Sequence, residues 1–201
     1  MSLRKLPRSF YLQPTLQVAK HLLGKLIVRR YRNEVLIGRI VETEAYLGEK
    51  DPASHAYRGM TKRNEVMFRK GGHLYVHFTY GMHFCANVVT EEEGKGRAVL
   101  LRAVEPSKGL KAMERRRGFP RIAHNLTNGP AKLCEAFGIA AKENGTDLCG
   151  QKIWIAADTS RNERIRIGVS SRIGITNGRR YRWRFYIVGN PFISKARPVD
   201  G

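Results

Sequence analysis

Acidic residues are scarce in this chain, in which 17 Asp and Glu stand against 37 Lys and Arg and the formal net charge is +20 over 201 residues. The three cysteines (Cys85, Cys134 and Cys149) are dispersed and lack C-x-x-C spacing, which argues against a disulfide framework or a cysteine zinc site. No apolar run is long enough to span a bilayer, and no signal-peptide core follows the charged N-terminus. We therefore expect an intracellular protein with no membrane partner.

Several motifs of cofactor and nucleophile chemistry are also absent. The sequence has neither a G-x-G-x-x-G nor a G-x-x-x-x-G-K-[ST] phosphate loop, and it has no G-x-S-x-G nucleophile elbow. His73 and His77 have the spacing of a zinc pair, but the run between them is β-rich and lacks the glutamate of H-E-x-x-H. We expect no metal and no cofactor.

The surplus of positive charge attracts polyanions, and it exceeds what solubility requires of a chain of this size. We predict that the partner is a nucleic acid. Charge and aromatic residues alone leave three function classes open: an enzyme acting on DNA, a non-catalytic RNA- or ribosome-associated module, and a metal-dependent nuclease.

The residue pattern predicts one α+β domain over residues 1–201, with a curved, largely antiparallel sheet flanked by helices. One helix is predicted to begin near Thr15 and to end at Gly24. Two paired strands, "KLIVRRY" and "VLIGRIVETEAY", follow with a turn near Asn33. The segment "GHLYVHFTYGMHFCANVVT" predicts a protruding β-hairpin with its tip at Tyr80 and Gly81.

Two further helices are predicted from start and stop residues. Ser107 is the expected cap of a basic helix in "KGLKAMERRRG", and Asn128 is the expected cap of a helix in "NGPAKLCEAFGI". In the β-rich C-terminal part, "RRYRWRFYIVG" alternates apolar with basic residues. Arg182 and Arg184 are therefore predicted to present guanidinium groups on the face opposite the core.

Period 2 places Glu42, Glu44 and Tyr46 on one side of a predicted strand. Two carboxylates so close repel, so each requires a cationic or hydrogen-bonding partner or a raised pKa. For Glu42 we favour simple pairing with one of the many arginines. For Glu44, which lies beside an aromatic residue and the irregular loop 48–59, pairing and a general-base role are both open.

Rings crowd the predicted hairpin, which carries Tyr75, His77, Phe78, Tyr80, His83 and Phe84. Alternation cannot bury both faces of a protruding hairpin, so some of these rings are expected to be exposed. Exposed rings on a basic protein stack on bases or wedge between them. Together with a nearby carboxylate, they suggest an enzyme that extracts a base from the stack.

The segments "GRIVETEAYLGEKDPASHAYRGMTKRNEVMF", "GHLYVHFTYGMHFCANVV", "AVLLRAVEP" and "NGPAKLCEAF" resemble the alkyladenine (3-methyladenine) DNA glycosylases of vertebrates and many bacteria. The resemblance runs from about Phe10 to Ile193. It implies a monofunctional hydrolase without cofactor that flips alkylated or deaminated purines out of double-stranded DNA and cuts the N-glycosidic bond. Nothing in the sequence demands more than a monomer.

The resemblance also implies roles around the flipped nucleotide. Glu44 would be the general base that activates water against the sugar C1′ atom, and Arg102 would lie beside Glu44 and the nucleotide. Tyr46 and His55 would line the base pocket. Asn87 would crowd the exocyclic amine of normal guanine and so reject it.

The resemblance assigns other residues to the DNA. Tyr80, at the hairpin tip with Gly81 and Met82, would enter the minor groove and fill the gap left by the extruded nucleotide. Lys132 would lie near the DNA backbone.

Two histidines depart from the family pattern, which has tyrosine at the positions of His77 and His83. His77 would face the base as a stacking partner opposite Tyr46 and His55. A protonated imidazole at this position would repel a cationic base.

Overall fold

The computed structural model describes residues 2–160 and 164–194. Within them the strands are β1 (Leu3–Lys5), β2 (Leu26–Tyr31), β3 (Glu34–Tyr46), β4 (Leu74–Thr79), β5 (His83–Thr90), β6 (Arg97–Lys108), β7 (Ile153–Asp158), β8 (Ile167–Ser170) and β9 (Arg184–Ile187). The α-helices are α1 (Arg8–Tyr11), α2 (Thr15–His21), α3 (Leu110–Arg116) and α4 (Pro130–Phe137). Short 3-10 helices lie at Gly48–Lys50, Glu65–Phe68, Ala123–Leu126 and Ala141–Glu143.

All strand pairs among the described residues are antiparallel and belong to one sheet, with the path β1-β7-β2-β3-β6-β5-β4. Strand β9 lies beside β3 and carries β8 on its other edge. The sheet does not close, and its few helices cover parts of it. The predicted α+β class, with a single domain built on a largely antiparallel sheet, is confirmed.

Strand β3 organises the sheet because three strands pair with it. Strand β2 pairs with its first half, β6 pairs with most of its length, and β9 pairs with residues Glu42 to Glu44. The segment from Glu42 to Glu44 therefore has a neighbour on each edge. Register shifts on either side of Glu42 mark a β-bulge, and Ile40 and Val41 are both fully buried in the core.

The predicted hairpin is formed by β4 and β5, which pair from Leu74 with Val88 to Thr79 with His83. Tyr80 and Gly81 make the turn, both with positive φ (50° and 67°). A primed turn of this kind matches the natural twist of two antiparallel strands. The hairpin is therefore confirmed with its tip where the sequence places it.

The core lies between the sheet and helices α2 and α4. Val18, Ala19 and Leu22 of the α2 region are fully buried, as are Leu133 and Phe137 of α4. Thr43 of β3 donates a hydrogen bond from its hydroxyl to the Ala19 carbonyl, which fixes α2 against the strand (2.9 Å). These contacts anchor β3 from the side opposite the cleft described below.

Both predicted helix caps are wrong. Helix α3 begins after Gly109, which has a φ of 81° and packs where a Cβ atom would lie 2.5 Å from Leu36. Ser107 lies in β6 and donates its hydroxyl to the Ile37 carbonyl. Helix α4 begins after Gly129, and the Asn128 side chain bonds Asn125 and Lys132 instead of the helix terminus.

The acidic turn between β5 and β6 caps helix α2 from a distance. Glu91 accepts hydrogen bonds from the backbone N–H (3.0 Å) and hydroxyl (2.6 Å) of Thr15, the first residue of the helix. Arg97 donates to the same carboxylate at 2.6 Å. These contacts hold the pKa of Glu91 below its usual value, although burial opposes the charge. The turn therefore joins the start of α2 to the sheet.

Candidate active site

A cleft of about 430 Å³ opens between the hairpin, the loop 47–55 and the segment 173–177. We call it the cleft. It is lined by Tyr46, Pro52, Ala53, His55, Met67, Tyr75, His77, Thr79, Tyr80, Cys85, Asn87, Leu100, Arg102, Pro130, Ile173, Gly174, Ile175, Thr176 and Asn177. Its volume lies within the range of pockets that bind small molecules. Six of the residues to which the resemblance assigned a role at the site line it: Tyr46, His55, His77, Tyr80, Asn87 and Arg102.

Glu44 lies immediately behind the wall of the cleft. Its side chain is fully buried, and it accepts hydrogen bonds from the Ile173 backbone N–H (2.7 Å) and the Tyr46 hydroxyl (3.0 Å). Arg102 Nη1 lies 3.3 Å from Glu44 Oε1. All three partners line the cleft, so the carboxylate lies directly behind the cleft residues that bind it.

The neighbours of Glu44 keep fixed protonation states at neutral pH. Burial, followed by the charge of Glu44, raises the pKa of the Tyr46 hydroxyl well above its usual value, so this group remains a donor. Burial opposes the charge of Arg102, but the carboxylates of Glu44 and Glu42 outweigh it and raise the pKa of that guanidinium. The negative charge is thus held between a neutral hydroxyl, an amide and a permanent cation.

Glu42 is a structural ion-pair partner, as the sequence favoured. Its carboxylate accepts from Arg102 (3.0 Å), Arg184 (2.7 Å) and both the backbone N–H and the hydroxyl of Ser194. The expectation that Arg184 presents its guanidinium to the surface is wrong, because this side chain turns inward to Glu42 and is 9% exposed. Arg102 bridges the two glutamates, so they share one side of β3.

Imidazole and phenol rings form the opposite wall. His77 stacks on Tyr75 (centroids 5.3 Å apart, 27° between planes) and meets His55 edge-on at 4.4 Å. His55 Nδ1 shares a hydrogen bond with the Tyr75 hydroxyl. Asn87 donates from its amide to the Tyr75 carbonyl and to His77 Nδ1. His77 Nδ1 therefore acts as an acceptor.

Burial makes this wall electrically neutral. Burial, His55 and Arg63 lower the pKa of His77 to about 3, and burial with Arg63 also lowers the pKa of His55. The repulsion expected between a protonated His77 and a cationic base therefore does not arise at neutral pH. Burial likewise raises the pKa of the Cys85 thiol to about 11, so this cleft residue stays protonated and is a poor nucleophile.

The hairpin tip stands clear of the domain. Tyr80 is 81% exposed and Met82 is 70% exposed, and a Cβ atom on Gly81 would have no neighbour within 4 Å. Tyr80 also lines the cleft, so the tip and the cleft are continuous.

Lys132 does not line the cleft. It donates to Asn128 Oδ1 at 2.8 Å, close to the cleft residue Pro130.

The segment 172–177 is the part of the site that sequence reasoning missed. It supplies the amide that binds Glu44 and five cleft residues, yet it contains no titratable group that faces the cleft. The sequence carries one sign of it, the isolated arginine in "SSRIGI". That residue, Arg172, pairs with Asp51, a residue 121 positions earlier in the chain.

No cluster of three or more His, Cys, Asp or Glu residues suited to a metal ion occurs in residues 2–160 and 164–194. In the same residues, no helix has the length and apolar content needed to cross a membrane.

A cleft walled by rings, with a buried carboxylate behind it and an exposed tyrosine beside it, suits an enzyme that acts on a base taken out of the nucleic-acid stack. The particular group follows from a family model: the methylpurine-DNA glycosylase (MPG) model matches residues 9–191, and the chain belongs to this family. Full-length relatives agree. The chain is 50% identical over 190 residues to a protein of Carboxydothermus hydrogenoformans named "Putative 3-methyladenine DNA glycosylase", with 94% of this chain and 98% of that protein covered.

Proteins of the same name from Chlorobium phaeobacteroides and Alkaliphilus oremlandii are 48% and 46% identical to the chain. The matches cover 95% of this chain in both cases, and 97% and 99% of the relatives. The family resemblance inferred from the sequence is thus confirmed.

Proposed function

We propose that this protein removes alkylated or deaminated purines from double-stranded DNA by hydrolysis of the N-glycosidic bond, with Glu44 as the general base. The observation that carries the proposal is the position of Glu44 behind the cleft, bound by three groups that line it. The names of the relatives, which specify 3-methyladenine, support the same substrate class.

The chemistry needs an anion beside the sugar. As the C1′–N bond breaks, its electron pair leaves with the base and positive charge develops on the sugar. Glu44 would stabilise that charge and accept a proton from the water whose oxygen bonds to C1′. The products are a free base and an abasic site. Among the described residues, Glu44 Oε2 receives only the Tyr46 hydroxyl bond, and a carboxylate oxygen has room for a second donor such as water.

In this proposal a flipped base would lie between the two walls of the cleft, whose volume is about 430 Å³. Tyr46 on one side and the uncharged His77 and His55 on the other offer ring faces for stacking. Stacking of a cationic alkylpurine on such faces contributes about 0.5–2 kcal/mol. Asn87, which is held by two hydrogen bonds at the far wall, would exclude the exocyclic amine of guanine.

The hairpin and the surface charge account for capture of the duplex. Tyr80, with Gly81 and Met82, would enter the minor groove and occupy the space left by the extruded nucleotide. Lys132 and the other cations of a chain with net charge +20 would hold the phosphates without regard to sequence. The proposal needs only one copy of the chain, acting inside the cell.

Substitution of Glu44 tests the mechanism. We expect Glu44→Gln to bind methylated duplex DNA as the wild type does but to release no free base, as measured by chromatography of the liberated bases. Glu143→Gln is the matched control, because Glu143 is equally buried and pairs with an arginine, Arg29, outside the cleft. Equal base release by wild type and Glu44→Gln would remove Glu44 from the mechanism.

A further inference from the structure

A fully buried ion pair joins two loops beside the cleft. Arg172 donates two hydrogen bonds to the carboxylate of Asp51, at 2.5 and 2.7 Å, and neither side chain is exposed. Asp51 also accepts from the backbone N–H groups of Leu47 and Ala53, and Arg172 donates to the Ala45 carbonyl. The pair therefore fixes the end of β3, the loop 47–55 and the segment 172–177 to one another.

Two of the three groups that bind Glu44 depend directly on this pair. Ile173, whose N–H donates to Glu44, is the next residue after Arg172. The Arg172 guanidinium also lies over the ring of Tyr46 at 4.6 Å, and the Tyr46 hydroxyl is the second donor to Glu44. The third group, Arg102, belongs to β6 and is independent of the pair.

Two aromatic rings and a glycine pack around the Arg172 guanidinium. The guanidinium lies 5.1 Å from the ring of Trp183, which stacks on Tyr181 with centroids 4.1 Å apart. Gly178 closes the remaining side: a Cβ atom there would lie 2.9 Å from Arg172 Nη2, and its φ is 70°. These contacts, together with the bonds to Asp51 and the Ala45 carbonyl, restrict the position of the Arg172 guanidinium.

We propose that Asp51 and Arg172 are positioning residues, which set the Ile173 amide and the Tyr46 ring so that Glu44 points correctly at the substrate. The inference rests on the proposed function. Neither side chain lines the cleft, although their neighbours Pro52 and Ile173 do, so the pair acts through these neighbours and not on the substrate.

Substitution of an ion pair that only stabilises the fold would affect the reaction differently from substitution of a positioning pair. Loss of stability only lowers the fraction of folded enzyme, and as long as folded enzyme still saturates the DNA, the single-turnover rate constant does not change. Loss of positioning lowers the rate constant of base release in the folded enzyme. The pair of Arg29 and Glu143, also buried (2.9 Å; 2% and 0% exposed), provides the comparison because none of its residues lines the cleft.

The experiment compares Asp51→Asn with Glu143→Gln in single-turnover excision from methylated duplex DNA under excess enzyme. For Asp51→Asn we expect the rate constant to fall about tenfold or more with the Kd for the duplex unchanged, because a misplacement of ~1 Å costs up to ~100-fold in rate. Glu143→Gln should keep the wild-type rate constant. If Asp51→Asn does not fold, Gly178→Ala disturbs the same pair without removing a charge.

Amide hydrogen exchange at Ile173 gives a readout that does not depend on activity. Exchange of this amide should become faster in Asp51→Asn and Gly178→Ala and stay at the wild-type rate in Glu143→Gln. Unchanged exchange, or an unchanged rate constant in a folded variant, would overturn the inference. A wild type that releases no base would refute the proposed function instead, while the exchange data would still decide the role of the pair.

Discussion

Acid should destabilise this protein through His77. Burial, His55 and Arg63 lower the pKa of this imidazole from 6.5 to about 3, so protons bind the unfolded chain more readily than the folded one between these values. The stability contributed by the neutral ring is therefore present above about pH 6.5 and is lost as the pH falls toward 3. Replacement of His77 by Phe keeps a ring at the same place and removes the titration.

The size of the pH effect on stability follows from the lowered pKa of His77. At pH 5.5 the unfolded imidazole is about 90% protonated while the folded one is neutral, which corresponds to about 1.4 kcal/mol relative to neutral pH. His77 is partly exposed, so we expect a measured difference nearer ~1 kcal/mol.

The assay is urea denaturation of the wild type and His77→Phe at pH 7.5 and pH 5.5. The free energy of unfolding should fall by ~1 kcal/mol more in the wild type than in the variant between the two conditions. Because both proteins contain every other titrating group, the difference isolates His77. The same pH dependence in both proteins would show that His77 protonates in the folded state as easily as in the unfolded chain, and the neutral wall of the cleft would be refuted.

Two further changes test the hairpin and the packing beside the cleft. Tyr80→Ala should weaken binding to duplex DNA with a flipped lesion by about 1–3 kcal/mol, the usual worth of a base–aromatic stack, with a smaller effect on undamaged duplex; unchanged fluorescence of a reporter base at the flipped position would rule out the wedge. Gly96→Ala should lower the free energy of unfolding by about 1–3 kcal/mol, because the new Cβ would lie 2.8 Å from both Ala56 and Phe68 at a φ of 61°. Gly94→Ala is its control, since its φ is also positive but no atom lies within 4 Å; equal losses in a denaturation assay would contradict the packing argument.

Local patterns in the sequence were sufficient to predict the strands that position the site. Alternation over residues 34–46 and 74–90 locates β3, β4 and β5, and the glycine at position 81 locates the turn between two of them. The shared side of Glu42 and Glu44 also follows from alternation alone. These features depend on the period of a strand and on turn chemistry, both of which are local properties.

Two of the three wrong predictions, those for Ser107 and Arg184, fail because of contacts with distant residues. Ser107 has the chemistry of a helix cap, but it lies in β6 and donates its hydroxyl to the Ile37 carbonyl, 70 residues earlier in the chain. Asn128 has the same chemistry, but its side chain binds the nearby Asn125 and Lys132, and Gly129 precedes the helix. Arg184 has the alternation of a surface residue, yet Glu42, 142 residues earlier, binds it inside the protein. No local pattern encodes such pairs, and the same reason hid the contact of Asp51 with Arg172.

Because three strands pair with β3, the segment that carries Glu44 is held more firmly than the hairpin of β4 and β5. Glu42 to Glu44 have a hydrogen-bonded strand on each edge, whereas β4 ends the path of the sheet and, with β5, leads out to the hairpin. Opening a doubly paired segment requires disruption of both neighbours, but an outer hairpin can bend alone. If the protein acts as proposed, a distorted double helix that presses on Tyr80 would displace the tip while the Glu44 carboxylate keeps its place, and lesions of different shape would meet the same catalytic geometry.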